Sequence, residues 1–153
     1  MIVPMEQRHV QQVHQIEVEC FSDPWSLKAF EEELKNPQAI TLVAESSDKA
    51  VMGFVNVRYL FGECFINNVA VSAPYRNQGI ASQLLQGLEQ EIISQEGELI
   101  TLEVRKSNLP AIRCYQKHGY QLVGERKNFY ENPQENALLM TKFLTATKER
   151  RTI

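Results

Sequence analysis

The order of apolar and polar positions predicts helices and strands in turn along this chain. Residues 6–20 carry apolar side chains at helical spacing, and Ser26 is placed to cap a second helix that ends by Asn36–Pro37. Three strands are expected next, over Ala39–Ala44, Val51–Leu60 and Glu63–Val71. Because the connections between these strands are only turn-sized, they predict an antiparallel meander.

The second half of the chain predicts a parallel pair of strands. A strongly helical apolar pattern begins after Gly79, and an alternating strand follows over Glu98–Arg105. A strand, a helix and another strand in this order imply a right-handed crossover. A capped helix ending at Gly119 and two last strands, about 120–129 and 136–143, complete an α/β protein on one mixed sheet. The predicted order is β-α-α-β-β-β-α-β-α-β-β.

Composition and charge narrow the class of protein. The chain has 153 residues, 43% of them hydrophobic and 23% charged, which predicts a single domain over residues 1–153. A net charge of −3 gives no footprint for nucleic acid, and the basic tail Lys148–Arg151 is interpreted as a solvated end. No apolar run has the length of a membrane span or a signal-peptide core, so a cytoplasmic protein is expected. Three widely spaced cysteines predict neither a metal site nor a disulfide.

Gly79 stands where a capping Ser, Asp or Thr would begin a helix better. If the helix starts there, the free N–H groups of Gln78–Ser82 point together out of an electropositive end that binds anions. Glycine lets a ligand approach the backbone, and Arg76 adds a charged donor. These features predict a pyrophosphate site, while the alternative is an ordinary junction of loop and helix.

Polar side chains on the next strand and helix are the other candidates. Glu103 projects from a strand predicted to be central, opposite the apolar side chains of that strand. It is either paired, with Arg105 or with a neighbouring strand, or a general base. Asn108 and Tyr115 lie seven residues apart and share a helical face. Either Asn108 caps the helix and Tyr115 packs in the core, or both side chains contact a ligand. Cys114 points about 100° away and is rejected as a nucleophile.

These stretches together resemble the GNAT-fold N-acetyltransferases. "NNVAV" followed by "RNQGIA" (Arg76–Ala81) is similar to the R/Q-x-x-G-x-G/A motif of that family, and the element order matches its fold. "FSDPWS", "LEVRKSNLPAIRCYQKHGY" and "RKNFYENP" resemble the RimI type of this family, whose members acetylate the N-terminal alanine of a small-subunit ribosomal protein. The resemblance implies a GNAT fold, a single mixed, mostly antiparallel sheet with a central splayed parallel pair and helices on both faces.

The resemblance also implies acetyl-CoA as co-substrate and a role for each candidate residue. Glu103 is implied as the general base, Tyr115 as the general acid, and Asn108 as an amide that binds acetyl-CoA, with direct attack in a ternary complex. Pantetheine is expected along the backbone of Val69, Ala70 and Val71. The pyrophosphate is expected on Arg76, Asn77, Gln78, Gly79, Ile80, Ala81 and Ser82, where Ala81 replaces the second glycine of many relatives.

A peptide slot is expected between the loops Phe21–Ser26 and Asn128–Pro133, with Phe21, Trp25 and Tyr130 as candidate contacts. Trp25 is equally interpreted as an anchor between the two N-terminal helices. The expected partner is a protein N-terminus, with no nucleic acid, membrane or metal, and the expected state is a monomer or weak dimer. The alternatives are acetylation of a small amine or a lysine side chain, a non-catalytic acyl-CoA-binding module, and a nucleotide-binding regulator.

Overall fold

Seven strands form one mixed sheet in a computed structural model of the chain, which describes residues 1–144. The strands are β1 (Ile2–Pro4), β2 (Ala39–Glu45), β3 (Val51–Leu60), β4 (Glu63–Val71), β5 (Leu99–Arg105), β6 (Gln121–Tyr130) and β7 (Glu135–Phe143). The helices are α1 (Val10–Cys20), α2 (Leu27–Glu33), α3 (Ile80–Ser94) and α4 (Leu109–Lys117), with 3-10 turns at Gln7–His9 and Ala73–Tyr75. The predicted element order is confirmed. The basic tail Lys148–Arg151 lies outside the described residues.

The sheet has the order β1-β2-β3-β4-β5-β7-β6. The meander β2–β3–β4 is antiparallel, as predicted, and β4 and β5 are the parallel pair at the centre. These two strands pair only from Glu63 with Leu99 to Ile66 with Leu102. Beyond that point both strands continue without pairing each other, so a wedge-shaped gap opens between their C-terminal ends. The GNAT fold with a splayed central pair is confirmed.

A bulge at Asn67 accompanies the divergence of the two strands. Asn68 is opposite Asn56 on β3, but the next residue of β3, Val57, is opposite Ile66, which leaves Asn67 as the extra residue. A bulge bends its strand and increases the local twist. The bend of β4 therefore lies where its pairing with β5 stops, and it also exchanges the faces to which alternate side chains point.

Helices cover both faces of the sheet, each over its own core. The core beneath α3 and α4 includes Leu84, Leu88 and Leu102, and the core beneath α1 and α2 includes Val13, Ile16, Phe30 and Phe54. Ser26 caps α2 as predicted, since its Oγ accepts the Ala29 N–H at 3.1 Å. None of the helices within residues 1–144 is long and apolar enough to cross a membrane.

Two apolar positions of the predicted helices do not face a core. Val18 is 52% exposed and Ile93 is 49% exposed. Each follows a residue of the buried stripe, and the next residue of an α-helix points about 100° away. In α1 the buried position next to Val18 belongs instead to Glu17, which is 1% exposed. The second helix ends at Glu33, before the limit set by Asn36–Pro37.

Candidate active site

The gap between β4 and β5 opens into a cleft of about 660 Å³. Its walls come from the end of α1 and the loop after it, from β4 and β5 where they diverge, from the start of α4, and from the turn between β6 and β7. Because the gap passes through the sheet, side chains from both faces reach the same space. The predicted site residues that line it are Phe21, Trp25, Val69, Glu103, Asn108, Tyr115 and Tyr130.

Glu103 presents a carboxylate oxygen that accepts no hydrogen bond from the described residues. It lies on β5 opposite Leu139 of β7, and its side chain is 11% exposed. Its Oε2 is buried without a hydrogen-bond partner among residues 1–144. Arg126 Nε is 3.7 Å away, which is an ion pair at a distance beyond a hydrogen bond. Of the alternatives left open by the sequence, pairing with Arg105 is wrong, since Arg105 is bonded to the turn between β6 and β7. The cation near Glu103 comes instead from another strand, β6, which carries Arg126. A buried carboxylate oxygen that accepts no hydrogen bond suits a group that accepts a proton from a ligand.

Asn108 and Tyr115 reach the cleft from α4. Asn108 is the N-cap, because its Oδ1 accepts the Ala111 N–H at 3.3 Å, and it also lines the cleft. Tyr115 lies two turns further on, with its ring centroid 5.8 Å from that of Tyr120. Burial raises the pKa of the Tyr115 phenol above its usual value, so the group keeps its proton at neutral pH. The helix ends at Lys117, and Gly119, after the C-cap residue His118, has a φ of +92°, the left-handed conformation expected there.

The start of α3 has the geometry that a backbone anion site needs. Gly79 is the N-cap with φ +80°, and Asn77 before it also has a left-handed φ, +62°. A Cβ on Gly79 would meet no atom within 4 Å, so this glycine serves the backbone conformation and leaves open space beside it. The first N–H groups of α3 have no acceptor within the helix. Ser82 Oγ, in this first turn, is hydrogen-bonded to His118 Nε2 at the end of α4, at 2.9 Å.

The side chain of Arg76 turns back across the end of β4. Its Nε donates to the carbonyl oxygen of Val71 at 3.0 Å, and its Nη2 lies 3.2 Å from Cys20 Sγ. The guanidinium therefore joins β4 to the end of α1. Its predicted contact with a pyrophosphate stays a prediction.

The backbone of β4 faces the gap at alternate residues. The Ser72 N–H donates to Met52 on β3, so the N–H and C=O of Ala70 also point toward β3, where Ala70 is opposite Phe54. Those of Val69 and Val71 point away from β3, but the Val71 carbonyl already accepts the Nε–H of Arg76. Of the three residues expected to pair with pantetheine, Val69 is thus oriented for it with both backbone groups and Val71 with its N–H, while the backbone groups of Ala70 belong to the sheet.

Glu17 is a second carboxylate at the cleft, and the sequence analysis missed it. Its Oε2 accepts the Trp25 N–H at 2.9 Å, and its Oε1 accepts Asn68 Nδ2 at 2.7 Å. Burial raises the pKa of Glu17 from 4.5, against the two hydrogen bonds that lower it. A signal was present: Glu17 lies four residues after Val13 on the buried stripe of α1, where an acidic side chain is rare.

Arg105 holds the turn between β6 and β7 over the cleft. Its Nη1 donates to the Pro133 carbonyl at 2.8 Å and its Nη2 to the Glu131 carbonyl at 2.9 Å. The guanidinium also lies 4.5 Å from the ring centroid of Tyr130. Burial first, and then the nearby Glu103, raise the pKa of Tyr130 to about 12. The sequence carried no signal for this arrangement, because the contacts are to backbone carbonyls of a distant turn.

Trp25 serves as an anchor and as part of the cleft wall. Its ring centroid is 5.4 Å from that of Phe30, which in turn packs edge-on against Phe54. The interpretation of Trp25 as an anchor is therefore confirmed. Its contact with a substrate, like those of Phe21 and Tyr130, stays a prediction. Residues 1–144 contain no group of three or more His, Cys, Asp or Glu side chains that could hold a metal ion.

A mixed sheet whose central parallel strands splay apart, with a cleft at the splay, defines the GNAT class of acetyltransferases. Residues 10–120 match the Acetyltransferase (GNAT) family, and the chain belongs to that family. A Bacillus subtilis (strain 168) protein, provisionally named [ribosomal protein bS18]-alanine N-acetyltransferase, is 34% identical over 137 residues, which cover 89% of this chain and 90% of that protein.

Solved structures agree with the assignment. The crystal structure of the ribosomal-protein-S18-alanine N-acetyltransferase from Escherichia coli has a TM-score of 0.85 at 26% identity, over 94% of this chain and 92% of that one. Arabidopsis thaliana NAA60 in complex with acetyl-CoA shares the fold, with a TM-score of 0.82 at 17% identity over 94% and 98% of the two chains.

Proposed function

We propose that this enzyme transfers the acetyl group of acetyl-CoA to the N-terminal α-amino group of a protein, and that its substrate is the N-terminal alanine of ribosomal protein bS18. The activity named for the Bacillus subtilis and Escherichia coli relatives supports this substrate. The single observation that carries the proposal is the buried Oε2 of Glu103, which accepts no hydrogen bond from the described residues and lies in a cleft between two loops. A ribosomal protein substrate also makes the cytoplasm the expected compartment.

The co-substrate is proposed to lie along the open side of β4. Val69 directs its backbone N–H and C=O into the gap, and Val71 its N–H, as a neighbouring strand would require, and the amide bonds of pantetheine are suitable partners. The pyrophosphate would then lie on the first turn of α3, where Gly79 leaves the backbone N–H groups accessible. Asn108 is the side-chain amide proposed to contact the acetyl-CoA.

The reaction is proposed to be a direct transfer in which nitrogen loses two protons and the leaving sulfur gains one. An α-amino group has a pKa of about 8, so at neutral pH Glu103, directly or through a water, takes the first proton and passes it to solvent before the neutral amine attacks. As the C–N bond forms at the thioester carbonyl, the second proton leaves nitrogen by the same route. A backbone N–H facing the gap, such as that of Val69, stabilises the oxyanion. When the C–S bond breaks, Tyr115 protonates the thiolate of CoA.

A peptide end is proposed as the substrate because two loops bound the cleft. Phe21 and Trp25 lie on one side, and Tyr130 with the turn held by Arg105 lies on the other. An extended N-terminus is narrow enough to enter between such walls, with its amino group leading toward Glu103. A lysine side chain carries the same nucleophile, and its acetylation is the competing outcome of the test.

The test is incubation with acetyl-CoA and a set of matched peptides, read by mass spectrometry. The peptides begin with free Ala, Ser or Met, or are acetylated at the N-terminus, and each contains an internal lysine. Transfer to the free N-terminus, fastest with Ala, is the expected result. Transfer confined to internal lysines, or to none of the peptides, would reject the proposal.

The catalytic role of Glu103 is tested with Glu103→Gln. Removing a general base lowers the rate by about 10²- to 10⁴-fold, and we expect kcat to fall while the Kd for acetyl-CoA is unchanged. The loss is expected to be largest at low pH, where the amine is protonated. Glu125→Gln is the matched control, because Glu125 pairs with Lys106 at the surface. A Glu103→Gln enzyme as fast as the wild type would eliminate Glu103 as the base.

A further inference from the structure

Glu17 is surrounded by donors in a way that only a carboxylate satisfies. Its two oxygens each accept one hydrogen bond, from the Trp25 backbone N–H at 2.9 Å and from Asn68 Nδ2 at 2.7 Å. A glutamine at this position offers one acceptor and one donor, so with the Asn68 amide oriented as it is, with Nδ2 toward residue 17, it satisfies only one of the two partners. The polar network around Glu17 therefore depends on the carboxylate and not merely on the size of the side chain.

The two partners of Glu17 belong to opposite parts of the cleft. Trp25 is in the loop between α1 and α2, which forms the wall proposed for the substrate side. Asn68 follows the bulge of β4 and precedes Val69, whose backbone groups face the gap. Through one side chain, α1 thus joins the substrate wall to the strand proposed to hold acetyl-CoA.

A carboxylate at this position works against stability. Glu17 is 1% exposed on the stripe by which α1 packs on its core, and burial raises its pKa. An apolar side chain would fill such a position without desolvating a charge. The carboxylate instead forms hydrogen bonds to Trp25 and Asn68, and these bonds set the position of the loop between α1 and α2 relative to β4.

We propose that Glu17 is a positioning residue that fixes the width of the substrate slot and thereby makes the enzyme select small N-terminal residues. The inference rests on the proposed function, since it concerns which protein N-terminus enters the cleft. Without the bond to Glu17 the Trp25 loop moves away from β4, the slot widens, and a larger first residue gains access. The hydrogen bond to Asn68 is kept, so β4 and the acetyl-CoA side of the site hold their positions.

The test compares Glu17→Gln with a rescue variant. In the double variant Glu17→Gln/Asn68→Asp, the glutamine oxygen accepts the Trp25 N–H and its amide donates to the new aspartate, so both hydrogen bonds return. The carboxylate also stays in the cluster. Glu32→Gln is the control, because Glu32 is 67% exposed on α2 and only approaches Lys28.

Kinetics with matched peptides that begin with Ala or Leu give the first readout. Loss of one hydrogen bond to a charged group corresponds to about a tenfold effect, so we expect Glu17→Gln to raise the KM for the Ala peptide about tenfold. The preference for Ala over Leu should fall by a similar factor, with the KM for acetyl-CoA unchanged. The double variant should recover both values, and the control should match the wild type.

Tryptophan fluorescence gives a second readout that does not depend on activity. Trp25 is the only tryptophan in the chain, so its emission and its quenching by acrylamide report on the loop directly. Glu17→Gln should increase quenching at an unchanged melting temperature, and the double variant should reverse the increase. Even a variant that folds poorly leaves the rescue measurable in the double variant.

The outcomes separate the two proposals. A wild-type enzyme that acetylates no peptide N-terminus overturns the proposed function and this inference with it. If the wild type is active and Glu17→Gln keeps both the preference for Ala and the native quenching, only the role of Glu17 is overturned. A Glu17→Gln defect that the double variant fails to reduce, although that variant melts like the wild type, also overturns it.

Discussion

Replacing Arg105 with alanine tests whether the turn between β6 and β7 has to be held in place for a peptide to bind. The guanidinium contacts two carbonyls of this turn, those of Glu131 and Pro133, and lies over the ring of Tyr130. It also approaches Glu135 Oε1 at 3.3 Å. Alanine removes all of these contacts at once while leaving the backbone of β5 paired with β7.

The size of the effect follows from these contacts. A hydrogen bond from a charged donor contributes about 1.5–3 kcal/mol, and a cation–π contact about 0.5–1 kcal/mol. The contributions are not additive, and water replaces part of them because the side chain is 25% exposed. We therefore expect the ordered conformation of the turn to be destabilised by about 2–3 kcal/mol. This corresponds to roughly a 30- to 140-fold change in the equilibrium between the ordered and the disordered turn.

Peptide kinetics measure this loss. We expect kcat/KM for the peptide to fall by roughly 10- to 100-fold in Arg105→Ala, mainly through KM, because the turn must be ordered again at each binding event. Arg105→Lys keeps the charge without the two-pronged geometry, so its loss should be intermediate. The KM for acetyl-CoA should not change, since the turn lies on the substrate side.

Lys106→Ala is the matched control for this experiment. Lys106 is the next residue of the chain, its side chain is 58% exposed, and it pairs with Glu125 at the surface. Exposed pairs contribute about 0–1 kcal/mol, so this variant should behave like the wild type. An Arg105→Ala enzyme with a native peptide KM would refute the reasoning, since the turn would then need no anchor.

Three further predictions concern other parts of the molecule. Gly79→Ala should lower the free energy of unfolding in urea by about 1–2 kcal/mol, because alanine is strained at a left-handed φ, and should raise the Kd for acetyl-CoA. Tyr115→Phe should lower kcat by about 10²-fold or more at an unchanged melting temperature; an unchanged kcat would leave Tyr115 a packing residue. Arg8 and His9 lower the pKa of Glu45 from 4.5 to about 2, so the stability that this carboxylate contributes is present above pH 4.5 and is lost as the pH falls toward 2. Glu45→Gln should therefore flatten the fall in unfolding free energy across that window, and an equally steep fall would contradict the assignment.

The sequence predicted the fold well because local patterns determine most of it. Apolar alternation located β5, helical spacing located α3, and the strand–helix–strand order implied the parallel pair. The bulge at Asn67 was not predicted, because it is a property of how two strands pair and leaves no periodic signal in either strand. Val18 and Ile93 were predicted to face a core but are exposed. Each is an apolar residue next to a buried position of its helix, and apolar character alone does not distinguish the two positions.

The site was predictable where a motif or a spacing marked it. Glu103, Asn108 and Tyr115 were singled out and do line one cleft. The role of Arg105 was not predicted, because its hydrogen bonds go to backbone carbonyls of a turn that is distant in sequence. Glu17 was discoverable from the sequence alone, since an acidic residue on an apolar stripe requires a partner.

The short pairing between β4 and β5 has a mechanical consequence. Only four residue pairs, Glu63–Ile66 with Leu99–Leu102, join the two halves of the sheet at its centre. β5 does not pair with Val69, so the backbone groups of Val69 that face the gap lack a neighbouring strand. Acetyl-CoA bound there as proposed would form hydrogen bonds with these groups and extend the sheet as an additional short strand. Occupancy and rigidity should then rise together, and amide hydrogen exchange at Val69 and Val71 should slow when acetyl-CoA is added. On the proposed binding mode, the protein should be most rigid when acetyl-CoA is bound.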